Sequence, residues 1–200
     1  MANQQKYCFF FSFKNQFSNL HPSKFKDGKD DLFINVEQYM MHRKAILFKD
    51  IDSANKILNL INNFHPESKE YNLLDLYINN KINVGNIIND EQYNYAWKNI
   101  NKTIKTLGRN VKNFDNKVWD SRKEKIVYDG SIHKYNEEQN DKILKKLMST
   151  NDEILVEASP YDKIWGIGYG SKDALENIEN WGQNLLGKIL MDVRNHFKNI

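Results

Sequence analysis

"NVEQYMMHRKAILF", residues 35–48, is where the chain changes period. Ahead of it, aromatic and alternating residues from Tyr7 to Phe13 predict a strand, and a turn at Asp27-Gly28 leads to a second extended piece around Leu32 to Ile34. From Asn35 onward good helix formers dominate. Asn35 suits an N-cap, because its side-chain oxygen can accept an orphan backbone N–H, and Glu37 and Gln38 stand in the first turn, where the helix dipole favours acceptor groups. Further along, Ile51, Ala54, Ile57, Leu58 and Ile61 recur at helical spacing and predict a second helix ending before Pro66. Residues 66 to about 104 mix their apolar spacing and predict mainly short helices. "NKVWDSRKEKIVYDG", residues 116–130, predicts a helix through Tyr128 that Asp129-Gly130 closes. Ile143, Leu144, Leu147 and Met148 share a helical face, "EILVEAS" predicts a short strand, and a last helix runs from about Trp181 to Phe197. The sum is an α+β fold, mainly α-helical, in one compact domain with a few short strands.

Composition narrows the function classes. Hydrophobic residues make up 40% of the 200, enough for a globular core, and a net charge of +3 is too small to argue by itself for a phosphate-backbone binder. The single cysteine, Cys8, excludes a disulfide framework and a cysteine-based zinc site. The five histidines show neither i,i+4 pairing nor HExxH spacing, so no protein-held metal is expected. No apolar run approaches the roughly 18 residues of a membrane span. The expectation is a soluble, cytoplasmic protein without cofactor, metal or membrane attachment.

Three stretches carry residues suited to chemistry. Glu37, Met41 and Lys44 are spaced i, i+4, i+7, so acid and amine project from one helix face; that face is either a solvated surface or a cleft wall, and spacing alone does not decide. In "SPYDKIWGIGYG", residues 159–170, Asp162 and Trp165 sit among glycines that permit neither regular helix nor strand, Gly168 among them. An indole there either stacks on a base or fills a structural turn. No Walker or Rossmann glycine pattern is present. Trp119, and Arg109 after Gly108, offer a flat ring and a phosphate-binding fork. Gly182, Asn184 and Gly187 leave two readings open: close helix packing, or backbone N–H groups facing an anion.

In order along the chain, "FSNLHPSKF", "NVEQYMMHRKAILFKD", "LGRNVKNFDNKVW", "ILVEASPYDKIWGIGYG" and "WGQNLLGKILMDVR" closely resemble the motifs of the NADAR family, the YbiA-like N-glycosidases. The resemblance spans nearly the whole chain. It implies cleavage of an N-glycosidic bond between ribose and a base, with Glu37, Lys44 and Asp162 as catalytic residues. By motif it implies Ser18, Asn19, Arg109, Trp119, Trp165, Gly168, Asn184 and Gly187 as substrate-binding residues. The implied substrate is an ADP-ribosyl group on guanine, in a small molecule or a nucleic acid; alternatives are ribosylated intermediates of riboflavin synthesis, or a non-catalytic ADP-ribose-binding module. No obligate protein partner is implied.

Family chemistry suggests that Lys44 attacks C1 of the ribose to form a Schiff base, which requires its proton affinity to be lowered by burial or by a cationic neighbour such as Arg43. Two departures stand out. His42 and Arg43 precede the lysine where smaller or uncharged residues are expected, altering the charge at the cleft edge. Against the family pattern residues 66–104 read as an insertion, expected as a lid or a substrate-selecting element, with Tyr93, Tyr95 and Trp97 either stacking bases or filling a satellite core.

Overall fold

The computed structural model describes residues 6–200. Strand β1 (Tyr7–Phe10) pairs in parallel with β4 (Ile154–Glu157), Phe10 opposite Glu157, while β2 (Phe25–Lys26) and β3 (Leu32–Phe33) form a small antiparallel ladder. A parallel pair cannot be joined by a hairpin, so the chain between β1 and β4 supplies the helices that surround it. The first strand is shorter than its aromatic run suggests. Ser12 takes a left-handed φ of 66°, and the N–H of Asn15 bonds back to the Ser12 carbonyl, turning the chain out of the sheet.

Helix α1 (Val36–Leu47) is the axis of the molecule, packed against α2 (Ile51–Leu58), α5 (Glu91–Arg109) and α7 (Lys123–Asn136). Its start follows the capping rule: the Asn35 side chain accepts the N–H of Gln38 and donates to Asn101 on α5. Gln38 joins two further segments, accepting from Ile34 N–H and donating to the Ile57 carbonyl. Because neighbours cover it on several sides, α1 buries Glu37, Gln38 and His42 along with Val36, Tyr39, Met40 and Ala45.

The stretch from residue 66 onward departs from the expected short helices. After α3 (Lys69–Ile78) and α4 (Val84–Asn89), α5 runs without a break to Arg109. Its buried stripe, Trp97, Ile100 and Ile104, is helical in period but diluted by the asparagines between. Those side chains share a core with Phe13, Ile34, Leu73, Leu74 and Tyr77, so the segment is stitched to the amino-terminal part rather than appended to it. Trp97 is fully buried with Tyr93 packed against that core, whereas Tyr95 is exposed.

Two more boundaries differ. After α6 (Asn116–Asp120), α7 continues through Asp129-Gly130, because Gly130 lies where the helix crosses α1: a Cβ there would stand 2.6 Å from the Tyr39 ring. The glycine permits close packing instead of ending the helix. Following α8 (Asp141–Met148), the last helix, α9 (Leu185–Lys198), begins later than Trp181. Asn184 is left-handed, and successive backbone N–H groups from Gly182 to Leu186 bond to carbonyls of the 163–167 loop. The main core, including Phe10, Tyr39, Met40, Val127, Leu155 and Leu190, lies between the β1–β4 pair, α1, α7 and α9. No described helix is long and apolar enough to cross a membrane.

Candidate active site

A pocket of about 220 Å³ opens where α1, α5, the end of β4 and the 159–170 loop meet. From α1 come Glu37, Met40, Met41 and Lys44; from α5, Lys105, Gly108 and Arg109; from β4, Glu157; from the loop, Asp162 and Trp165. Ser18 and Asn19 complete the wall with Leu20 and Leu186. The i, i+4, i+7 face of α1 therefore faces a hollow, and it meets the aspartate and indole from the far end of the chain. A larger cleft of about 380 Å³ lies elsewhere, around Lys24, Tyr77 and Asn80, but no carboxylate lines it.

The wall is held by backbone as much as by side chains. The Asn19 carbonyl accepts the N–H of Glu37, and the Ser18 hydroxyl accepts from Leu20 N–H. Lys134, buried on α7, donates to the Gln16 carbonyl at 2.7 Å and reaches that of Ser18 at 3.5 Å, fixing the loop that carries both. One oxygen of Asp162 accepts the N–H groups of Ile164 and Trp165, so this carboxylate shapes the tight turn that presents the indole. Gly168 has φ 77° and gives its N–H to the Asp162 carbonyl; it shapes the loop but does not line the pocket.

Asn184 and Gly187 also lie outside the lining, which decides between their two readings. Asn184 accepts the N–H of Glu157 and donates to the Leu155 carbonyl, and a Cβ on Gly187 would stand 2.1 Å from that carbonyl. Both serve the close approach of α9 to β4. The N–H groups from Gly182 to Leu186 are consumed by carbonyls of the loop.

Lys44 is half-buried, and its amine donates to the Gly108 carbonyl at 2.8 Å. It lies 4.3 Å from the Phe114 ring centre and 5.6 Å from that of Trp119, which meets the lysine without lining the pocket. Burial lowers its proton affinity below the usual lysine range. Arg43 takes no part in this. Its guanidinium pairs with Asp27 and lies over Tyr39, while the buried His42 packs on Phe33, so neither residue edges the pocket. Gly108 is required by contact: a Cβ would fall 2.0 Å from the Met41 sulfur.

The residue that sequence reasoning missed is Glu157. Its Oε2 is shut off from solvent and, among the described residues, has no hydrogen-bond partner. Burial, then the nearby charges of Asp162 and Glu37, push its pKa up to about 8, with Lys105 opposing. Glu37 is raised too, chiefly by burial and further by Asp162, against the opposing charges of Lys105 and Arg109. Three carboxyl groups thus share one hollow, and like charges so placed do not all ionise together. A signal for Glu157 existed: an acid closing the apolar run "ILV" just before the loop. Lys105 was legible as well, one helical turn before Arg109 on the same face.

The pattern of the NADAR domain matches residues 3–198. The chain belongs to the NADAR family. Among similar proteins, N-glycosidase R617 of Acanthamoeba polyphaga mimivirus is 36% identical over 201 aligned residues, covering 94% of this chain and 95% of that protein. Protein irg-1 of Caenorhabditis elegans is 30% identical over 89% of this chain and 73% of its own length. N-glycosidase Npun_R5314 of Nostoc punctiforme is 35% identical over 41% of the chain. The fold is similar to that in the NMR structure of the E. coli protein YbiA, with a TM-score of 0.62 at 20% identity over 98% of this chain and 88% of that one.

Proposed function

We propose that this hydrolase of N-glycosyl bonds releases ADP-ribose from ADP-ribosylated guanine, carried on a nucleotide or a nucleic acid. One observation carries the chemistry: Glu37, Glu157 and Asp162 converge with Lys44 and Trp165 on a single open pocket. Cleaving a ribosyl C–N bond needs negative charge near the anomeric carbon and a proton for the departing base. With its pKa pushed up to about 8, Glu157 holds a proton at neutral pH and donates it to the base nitrogen, while the Asp162 side chain faces the positive charge developing at C1. Trp165 offers its ring to the base.

Lys44 supplies the nucleophile. Its unprotonated amine forms a bond to C1 as the base leaves with the bonding electron pair and the proton from Glu157. Opening of the ribose ring, with a proton passing to the ring oxygen, gives the Schiff base; water then adds at C1 and expels the amine, regenerating Lys44. A module that only bound ADP-ribose would have no use for a desolvated acid beside a desolvated amine. The substrate is tested by incubation with ADP-ribosylated guanosine, ribosylaminopyrimidine phosphates and NAD, followed by mass spectrometry. Release of ADP-ribose from the guanosine adduct is expected. Turnover of the pyrimidine compounds alone would overturn the guanine assignment, and turnover of none of the three would overturn this substrate class.

A further inference from the structure

The reaction pocket does not end at Arg109. Lys105, Arg109 and Leu20 also line a second hollow of about 240 Å³, whose outer part is formed by Phe13, Asn101, Lys102 and Lys98. Lys98, Lys102, Lys105 and Arg109 follow one another at i, i+4, i+7 and i+11, so one face of α5 carries four cations over about 16 Å of helix. Among the described residues none of the four makes an ion pair, and three of them are exposed. Elsewhere on the surface Lys125 and Lys145 find aspartates four residues away. On this ridge the cations are left for something else.

We infer that this ridge binds the phosphate chain of a single-stranded nucleic acid whose modified base enters the pocket. Two cations at the mouth suffice for the phosphates of the substrate nucleotide, and Lys98 and Lys102 lie beyond it. A strand of duplex DNA carries a phosphate about every 3.4 Å of axis, so a ridge of this length passes roughly five. A base cannot enter a pocket while paired and stacked, which favours a single strand or an extruded nucleotide. The loop that carries Asp162 and Trp165 adds a stacking surface: Tyr161 is 90% exposed, with Ile164 45% exposed beside it. The inference rests on the glycosidase reading only for what happens at the inner end of the groove.

The test measures binding of a fluorescent 12-nucleotide single strand across a salt series, for the native protein, for Lys98→Ala/Lys102→Ala, and for Lys142→Ala/Lys146→Ala as a charge-matched control on a remote helix. The ridge variant is expected to bind on the order of tenfold more weakly at low salt, with a salt slope smaller by about 1 to 1.5. The control binds as the native protein does. Equal affinity of ridge and control variants overturns the inference, as does displacement of the strand by polyglutamate of equal charge as readily as by unlabelled strand. Lys44→Ala separates the two readings: it retains strand binding while losing turnover. Strand binding with no base released from any substrate would leave the ridge standing and remove the glycosidase reading.

Discussion

The amine of Lys44 on α1 lies 2.8 Å from the carbonyl oxygen of Gly108 on α5, at a position where a Cβ would fall 2.0 Å from the Met41 sulfur. The bond holds the amine, the proposed nucleophile, against the wall of the pocket. Lys44→Ala is therefore expected to abolish base release, and Lys44→Arg not to restore it, since a guanidinium stays protonated. Borohydride should trap a covalent ribosyl adduct on the native protein, visible by mass spectrometry. Full activity in either variant would remove the lysine from the reaction.

Glu157 is expected to set the alkaline side of the pH profile. Its raised pKa, about 8, means that the proton needed for the leaving base is present below that value and lost as pH rises through it. Glu157→Gln is expected to lower kcat by roughly 10²–10⁴ and to erase the limb near pH 8. Stability follows the same sign. The native state holds this proton more tightly than the unfolded chain, so the contribution is complete below the ordinary glutamate range and is lost as pH rises toward about 8. Thermal melts of the native protein should therefore fall more steeply over that window than those of the glutamine variant.

Glu37 acts on Glu157 through charge. Neutralising it in Glu37→Gln removes a contribution that raises the Glu157 pKa, so the alkaline limb should move to lower pH. Turnover is expected to drop while ligand affinity, measured by calorimetry, is retained. Loss of binding instead would assign Glu37 to architecture.

Asn184 and Gly187 are expected to behave as supports. Asn184→Ala leaves the Glu157 N–H and the Leu155 carbonyl without their partner, a loss of about 1–3 kcal/mol in a buried setting. Gly187→Ala should cost at least as much, because its Cβ would overlap backbone. Urea melts check both. A raised KM with unchanged stability would return either residue to direct substrate contact.

Much of the fold was legible because its signals are local. Asn35 announces α1 through its side-chain cap, and the apolar run of β4 reads as a strand without reference to anything distant. The failures have a common cause. By local pattern Gly130 reads as a stop, and Trp181 as the start of the last helix, because the partners that explain them, Tyr39 and the 163–167 carbonyls, are remote in sequence. Adjacency along the chain pairs Arg43 with Lys44, whereas on a helix adjacent residues point apart, and Arg43 turns to Asp27.

By itself the sequence determined the helical character of the chain, the shared face of Glu37 and Lys44, and the turn that carries Asp162 and Trp165, all products of spacing within a few residues. Only the tertiary structure decided that these face one hollow, that Glu157 joins them with its Oε2 unpartnered among the described residues, and that Asn184 and Gly187 stand behind the wall. Burial and the field of neighbouring charges depend on which distant segments pack together, and those quantities, more than residue type, make a carboxyl group an acid at neutral pH.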